Sequence, residues 1–178
     1  MRSLLVTVLA ACGSIGTAPS ATTPPSVATT PTATSDPGAA LDPALEPLRG
    51  LLGSWAGRDP DQASTGHFTL EADLGGKLLV RRGRNDSPKG RHDDLMVVFP
   101  TPAGLRAAYF DNEGHIIQYA VTTSAQRIEL ISDAVPGQPR FRLRYDIHGR
   151  DELAIDFAIA PPGGTEFAHY LGGIVNRY

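Results

Sequence analysis

The sequence has a single cysteine, Cys12, so it forms no disulfide within the chain and holds no multi-cysteine metal site. Net charge is also small: -3, with a pI near 5.9, gives no global attraction to nucleic acid or to an anionic surface. Enzyme signatures are missing as well. There is no Gly-x-Ser-x-Gly elbow, no His-Glu-x-x-His and no phosphate-binding glycine loop. His92-Asp93-Asp94 offers two carboxylates, but on a strand Asp93 and Asp94 point to opposite faces. At 178 residues the chain has room for one domain and little else.

What is present begins with MRSLLVTVLAAC. Arg2 is followed by an apolar run from Leu4 to Ala11, far short of the about 20 residues that span a bilayer. A basic start, a short apolar core and small residues describe a secretory signal peptide over residues 1–11. Leu9-Ala10-Ala11-Cys12 resembles a bacterial lipobox. The resemblance implies cleavage before Cys12 and acylation there, including palmitate-type chains, and several chains make a stable anchor. The expected location is the cell envelope, at the outer membrane facing the periplasm if there are two membranes.

From Gly13 to Ala40 every residue is Gly, Ala, Ser, Thr or Pro except Ile15, Val27 and Asp36. Such a segment lacks the apolar surface to offset its ordering entropy, so lipidated Cys12 and this segment form a disordered tether over 12–40. The domain then spans 41–178. Asp42-Pro43 is a helix start, and Pro47 limits that helix to a turn or two.

After Gly53 the hydrophobic period becomes two. Phe141, Leu143, Tyr145 and Ile147 alternate with Arg140, Arg142, Arg144 and Asp146; Leu153, Ile155, Phe157 and Ile159 alternate with Ala154, Asp156 and Ala158. Strands are predicted at 54–58, 65–74, 77–84, 92–99, 104–111, 115–122, 127–133, 140–147, 152–160 and 165–177, separated by Gly, Pro and Asn turns. About ten antiparallel strands and no long helix predict an all-β, up-and-down barrel, with a sandwich as the alternative. A closed barrel has no edge strands, so a monomer is expected.

The stretch LRGLLGSWAG, with Gly53-Ser54-Trp55, resembles the opening of small calycin-type barrels. Gly75-Gly76-Lys77-Leu78-Leu79 and His169-Tyr170-Leu171-Gly172-Gly173-Ile174-Val175-Asn176-Arg177 extend the likeness to lipocalin-like and nitrobindin-like lipoproteins. It implies a structural pairing of Arg177 with Trp55. It also implies haem iron held by a histidine near the C-terminus, here His169.

Parity gives His169 a second hearing. Phe167, His169, Leu171, Gly173 and Val175 share one face of the last strand, which is the apolar one, so His169 is expected to point inward. There it meets either a ligand or a polar partner in the core. Arg81 and Arg82 are adjacent, so one of them faces in, where a guanidinium suits a carboxylate; the alternative is a solvated outer face. Arg140, Arg142 and Arg144 are expected to be solvated outside. Asp111, Glu113 and His115 alternate at a hairpin tip and are read either as a polar tip or as a cation site, while His115, if inward, joins Ile117 and Tyr119.

These readings predict a tethered barrel that binds a small hydrophobic or amphipathic molecule. Tyr109, His115, Tyr119, Tyr145 and His169 would be polar points on an apolar wall and Arg81 would supply charge. A barrel with a filled interior, acting as an envelope module through its outer face, is the alternative. A haem-binding protein is the third reading, and an enzyme assembled from scattered residues also stays open.

Overall fold

Leucine recurs every third residue at Leu45, Leu48 and Leu51, the period at which side chains of a 3-10 helix line up on one face. The computed structural model describes residues 40–59 and 64–178, and Pro43–Leu51 is a 3-10 helix with all three leucines buried. Asp42 caps it, its carboxylate accepting from the Ala44 N–H at 3.1 Å. The predicted leader, Cys12 and tether through residue 39 lie outside the described residues.

Among the described residues ten strands follow: β1 (Gly53–Asp59), β2 (Ser64–Asp73), β3 (Leu78–Ser87), β4 (Gly90–Thr101), β5 (Gly104–Asp111), β6 (Ile116–Thr123), β7 (Arg127–Ser132), β8 (Arg140–Ile147), β9 (Glu152–Ala160) and β10 (Ala168–Arg177). Each pairs antiparallel with the next, and β1 pairs with β10, so the sheet closes into an up-and-down barrel compatible with a lipocalin- or calycin-like fold. The predicted barrel and helix are therefore observed. Closure removes the open edges a sandwich would carry.

One end of the barrel is sealed by the helix. Leu48 and Leu51 meet Phe68, Leu70, Val98, Val121, Ile128 and Leu130 around a cavity of about 10 Å³, whose far side is made by Arg81, Met96 and Tyr145. That is about one water's worth of space, against roughly 300 Å³ for a small-molecule pocket. Trp55 anchors the seal: it is fully buried, stacks on Phe68 at 6.3 Å and donates from Nε1 to the Leu51 carbonyl at 2.8 Å. The expected pairing with Arg177 is present, its guanidinium 4.2 Å from the Trp55 ring centre. Arg177 also donates to the carbonyls of Gly50, Leu52 and Arg150, so the last strand clamps the helix onto the first. A cation over an indole with three carbonyl partners packs tightly where one surface hydrogen bond would not.

The predicted phase of the last strand fails at one point. A β-bulge between His169 and Leu171 leaves Tyr170 as an extra residue. Leu171 stands opposite Phe157, and Gly173 opposite Ile155, in phase with the interior, whereas His169 stands opposite Ala158, an outer position. One inserted residue flips every side chain beyond it. His169 therefore lies outside, with 63% of its side chain exposed.

Candidate functional site at the open end of the barrel

Above the sealed half, the inward rows change character. On β3 and β4, Leu79 faces Val98 and Arg81 faces Met96, and continuing in phase brings Gly83 against Asp94 and Asn85 against His92. Of the two adjacent arginines, Arg81 is inside and Arg82 outside, because Leu79 sets the inward phase. Arg81 forms an ion pair with Asp94, with 15% and 10% of the two side chains exposed. The pair is therefore largely but not wholly withdrawn from solvent. The pair needs Gly83: any Cβ there would collide with the Asp94 carboxylate.

Around this pair lie three phenols. The Arg81 guanidinium sits 4.6 Å from the Phe68 ring centre, and Phe68 is 6.1 Å from Tyr145. Tyr119 and Tyr145 are buried, and Tyr109 is partly so. Burial pushes all three phenols above their ordinary pKa. Burial acts to lower Arg81, but Tyr145 and Asp94 outweigh it and its pKa is raised. Two polar atoms in this belt are buried without a hydrogen-bond partner: the Arg81 Nε and the Tyr145 hydroxyl.

The walls above the belt differ from side to side. On β8, β9 and β10 the inward residues Phe141, Leu143, Ile155, Phe157 and Leu171 are apolar yet only half-buried. Phe141 and Phe157 stack at 5.9 Å. On β1 and β2 the inward positions are Gly57 and Gly66, directly opposite each other, so neither strand sends a side chain into that arc; the Val175 side chain borders it at Gly57 and the Asn85 amide at Gly66. A Cβ at Gly66 would meet only ordinary contacts at 3.6 Å, from the Arg84 carbonyl and the Asn85 amide. The result is a cup with an apolar wall, a bare wall and a polar floor.

The rim above Tyr109 is a hydrogen-bonded knot. The Tyr109 hydroxyl and His92 Nε2 are 2.8 Å apart, and His92 Nδ1 faces Glu113 at 3.3 Å. Asp111 accepts from the backbone N–H groups of Glu113 and His115, at 3.0 and 2.9 Å, and from His115 Nδ1 at 2.8 Å. Burial opposes its charge, but the bonds from His115 and Glu113 hold its carboxyl below the usual carboxylate range.

The tyrosines expected in the pocket, Tyr109, Tyr119 and Tyr145, are thus brought together with Arg81. His115 is not with them. It precedes β6 in the turn, where strand parity does not apply, and 57% of its side chain is exposed. Among the described residues no group of three or more His, Cys, Asp or Glu is placed to hold a metal ion, the hairpin tip included. His169 is also elsewhere: its Nδ1 donates to Asp156 at 2.6 Å on the outer face, turned away from the cup. A haem inside the barrel held by His169 does not fit this placement.

Two residues of the site, His92 and Asp94, belong to the run that strand parity sets aside as a catalytic pair and do not appear among the expected pocket residues. The signal was present but masked, since β4 reads Leu95-Met96-Val97-Val98-Phe99, apolar on both faces, and hides its own phase. Outside, Leu95, Val97 and Phe99 lie with Val80, Phe110 and Ile116, the last two exposed, so this face of the barrel carries an apolar patch, flanked by Arg82 opposite Leu95 and Arg106 opposite Phe99. The outer face of β8 and β9 is charged instead. Arg140, Arg142 and Arg144 face out as predicted but are only partly exposed. Arg142 and Arg144 reach Asp156 at 3.1 and 3.2 Å, and Arg140 and Arg142 lie 5.9 and 5.1 Å from the Phe167 ring. Phe167 belongs to the segment after β9 that folds back across these strands, which the alternation alone did not reveal.

No protein-family model matches the chain, and no curated protein is detectably similar to it in sequence.

Proposed function

We propose that this protein binds a small hydrophobic or amphipathic molecule in the open half of its barrel. One observation carries the reading. Five inward-facing apolar side chains on three consecutive strands are only partly buried, above an ion pair that keeps a little solvent exposure. An apolar wall with a few convergent polar groups is what small-molecule sites are made of, and leaving it wet in the free protein is unfavourable. Acylation of Cys12 would hold the cup at an envelope membrane. The lipocalin-like likeness agrees with this use of a barrel, and its nitrobindin-like refinement extends to the layout of Trp55 and Arg177 rather than to haem on His169.

Native mass spectrometry of the purified protein, without refolding, tests the proposal. A retained small-molecule mass, or one-site uptake of an added apolar probe, is the expected result. An empty protein that takes up no apolar probe contradicts it.

A second reading rests on the apolar outer face of β3 to β6. There the protein acts as an envelope interaction module and the cup is incidental. Phe110→Asp and Ile116→Asp would then abolish partner capture, whereas the binding proposal predicts that neither alters probe uptake.

A further inference from the structure

We infer that the polar end of the bound molecule is an uncharged hydrogen-bond acceptor, such as a ketone, ester or hydroxyl oxygen, and not a carboxylate. The inference rests on the binding reading above and specifies the chemistry of that same site.

Three observations converge on it. Among the described residues Arg81 is the arginine or lysine on the wall of the open half, and its charge is already matched by Asp94. The cup floor therefore carries no excess positive charge. Asp111 adds a further carboxylate at the rim, engaged by His115. An entering carboxylate would have to lie beside Asp94, largely withdrawn from water, where like charges repel most strongly. Meanwhile the Arg81 Nε–H and the Tyr145 O–H are two donors with no acceptor. Both are buried, and Tyr145 is 2% exposed. Both residues line the cavity of about 10 Å³ at the foot of the open half, room for a single oxygen atom. Buried donors without a partner are rare in folded proteins, and an uncharged oxygen inserted there would offer them an acceptor at no cost in charge. An arginine facing inward suggests a carboxylate ligand when read from sequence; its buried partner reverses that expectation.

The ligand series that tests this holds the chain length fixed. Decan-2-one, decan-1-ol and decanoate compete, at pH 8, with uncharged N-phenyl-1-naphthylamine on the full chain. Decan-2-one and decan-1-ol are expected to bind at least tenfold more tightly than decanoate. Asp94→Asn, which leaves Arg81 uncompensated, is expected to invert the order in favour of decanoate. Because that variant removes a buried partner, Tyr145→Phe gives an independent measure: it should weaken decan-2-one several-fold more than it weakens the naphthylamine. Decanoate binding as tightly as the neutral compounds in the unmodified protein, or a Tyr145→Phe protein with unaltered preference, overturns the inference while leaving a binding cup. If neither the naphthylamine nor any decyl compound binds, the binding reading falls and this inference with it.

Discussion

The two halves of the barrel interior obey one alternation rule and come out differently. In the sealed half, large side chains project from the strand rows and the helix supplies Leu45, Leu48 and Leu51 as a stopper, leaving about 10 Å³. In the open half the same rows present Gly57, Gly66 and Gly83 on one side and half-buried Phe141, Leu143 and Phe157 on the other. A closed sheet fixes where side chains point, but their volumes decide whether the enclosed space is core or site. The glycines and the buried ion pair weaken the open half relative to an all-apolar packing, and that is the half proposed to bind.

The sharpest way to break the sealed half is Trp55→Ala. It removes the Phe68 stack, the Arg177 clamp and the bond to Leu51 at one stroke, at an expected cost of about 3–5 kcal/mol in chemical denaturation. A cost under about 1 kcal/mol would mean the helix is not held through this residue. In the open half, Asp94→Ala strands Arg81 in a largely buried site and should cost about 3–5 kcal/mol. The double change Arg81→Met with Asp94→Leu should be near neutral, because desolvation offsets much of a buried pair's attraction. A double variant as unstable as the single one would give the pair a structural role that the comparison denies it.

Smaller effects follow from pH. Asp111 at the rim and Asp156 outside are both held below the usual carboxylate range. Burial opposes the charge of each; bonds from His115 and Glu113 outweigh it for Asp111, and bonds from His169 and Arg142 outweigh it for Asp156. A depressed folded-state pKa contributes stability above the unfolded value of about 3.9 and loses it as pH falls through the folded value. Urea midpoints should therefore drop more steeply below about pH 4 in the unmodified protein than in Asp111→Asn. Parallel profiles would show that the rim knot adds nothing. The smallest effect belongs to His169→Ala. With an exposed ring and one carboxylate partner, it should cost at most about 1 kcal/mol and leave probe binding unchanged. Loss of probe binding would return His169 to the interior.

The fold was legible in the sequence because turn residues and period-two hydrophobicity agree along nearly the whole domain. The strands 104–111, 140–147 and 152–160 match their predicted bounds, and the others differ by a few residues at their ends. The site was legible only where one face is clearly apolar. Tyr145 lies in a clean alternation and was placed correctly, whereas Arg81 needed the Leu79 phase to separate it from Arg82. Parity failed for His169 because no local residue pattern announces the bulge at Tyr170. For Asp94 and His92 it was silent, since Leu95, Val97 and Phe99 make the outside of β4 as apolar as its inside. Nothing local predicts Phe167 crossing the outer arginines either, because that contact joins elements by tertiary packing.

The most direct measurement of the central claim is a titration of uncharged N-phenyl-1-naphthylamine into the unmodified protein and into Gly66→Leu. Position 66 accepts a Cβ at ordinary contact distance, so the leucine should fold normally and project into the open half. The account predicts saturable one-site uptake by the unmodified protein, and loss of that uptake in Gly66→Leu at unchanged urea midpoint. Undiminished uptake by a folded Gly66→Leu protein, or no uptake by either, would contradict it.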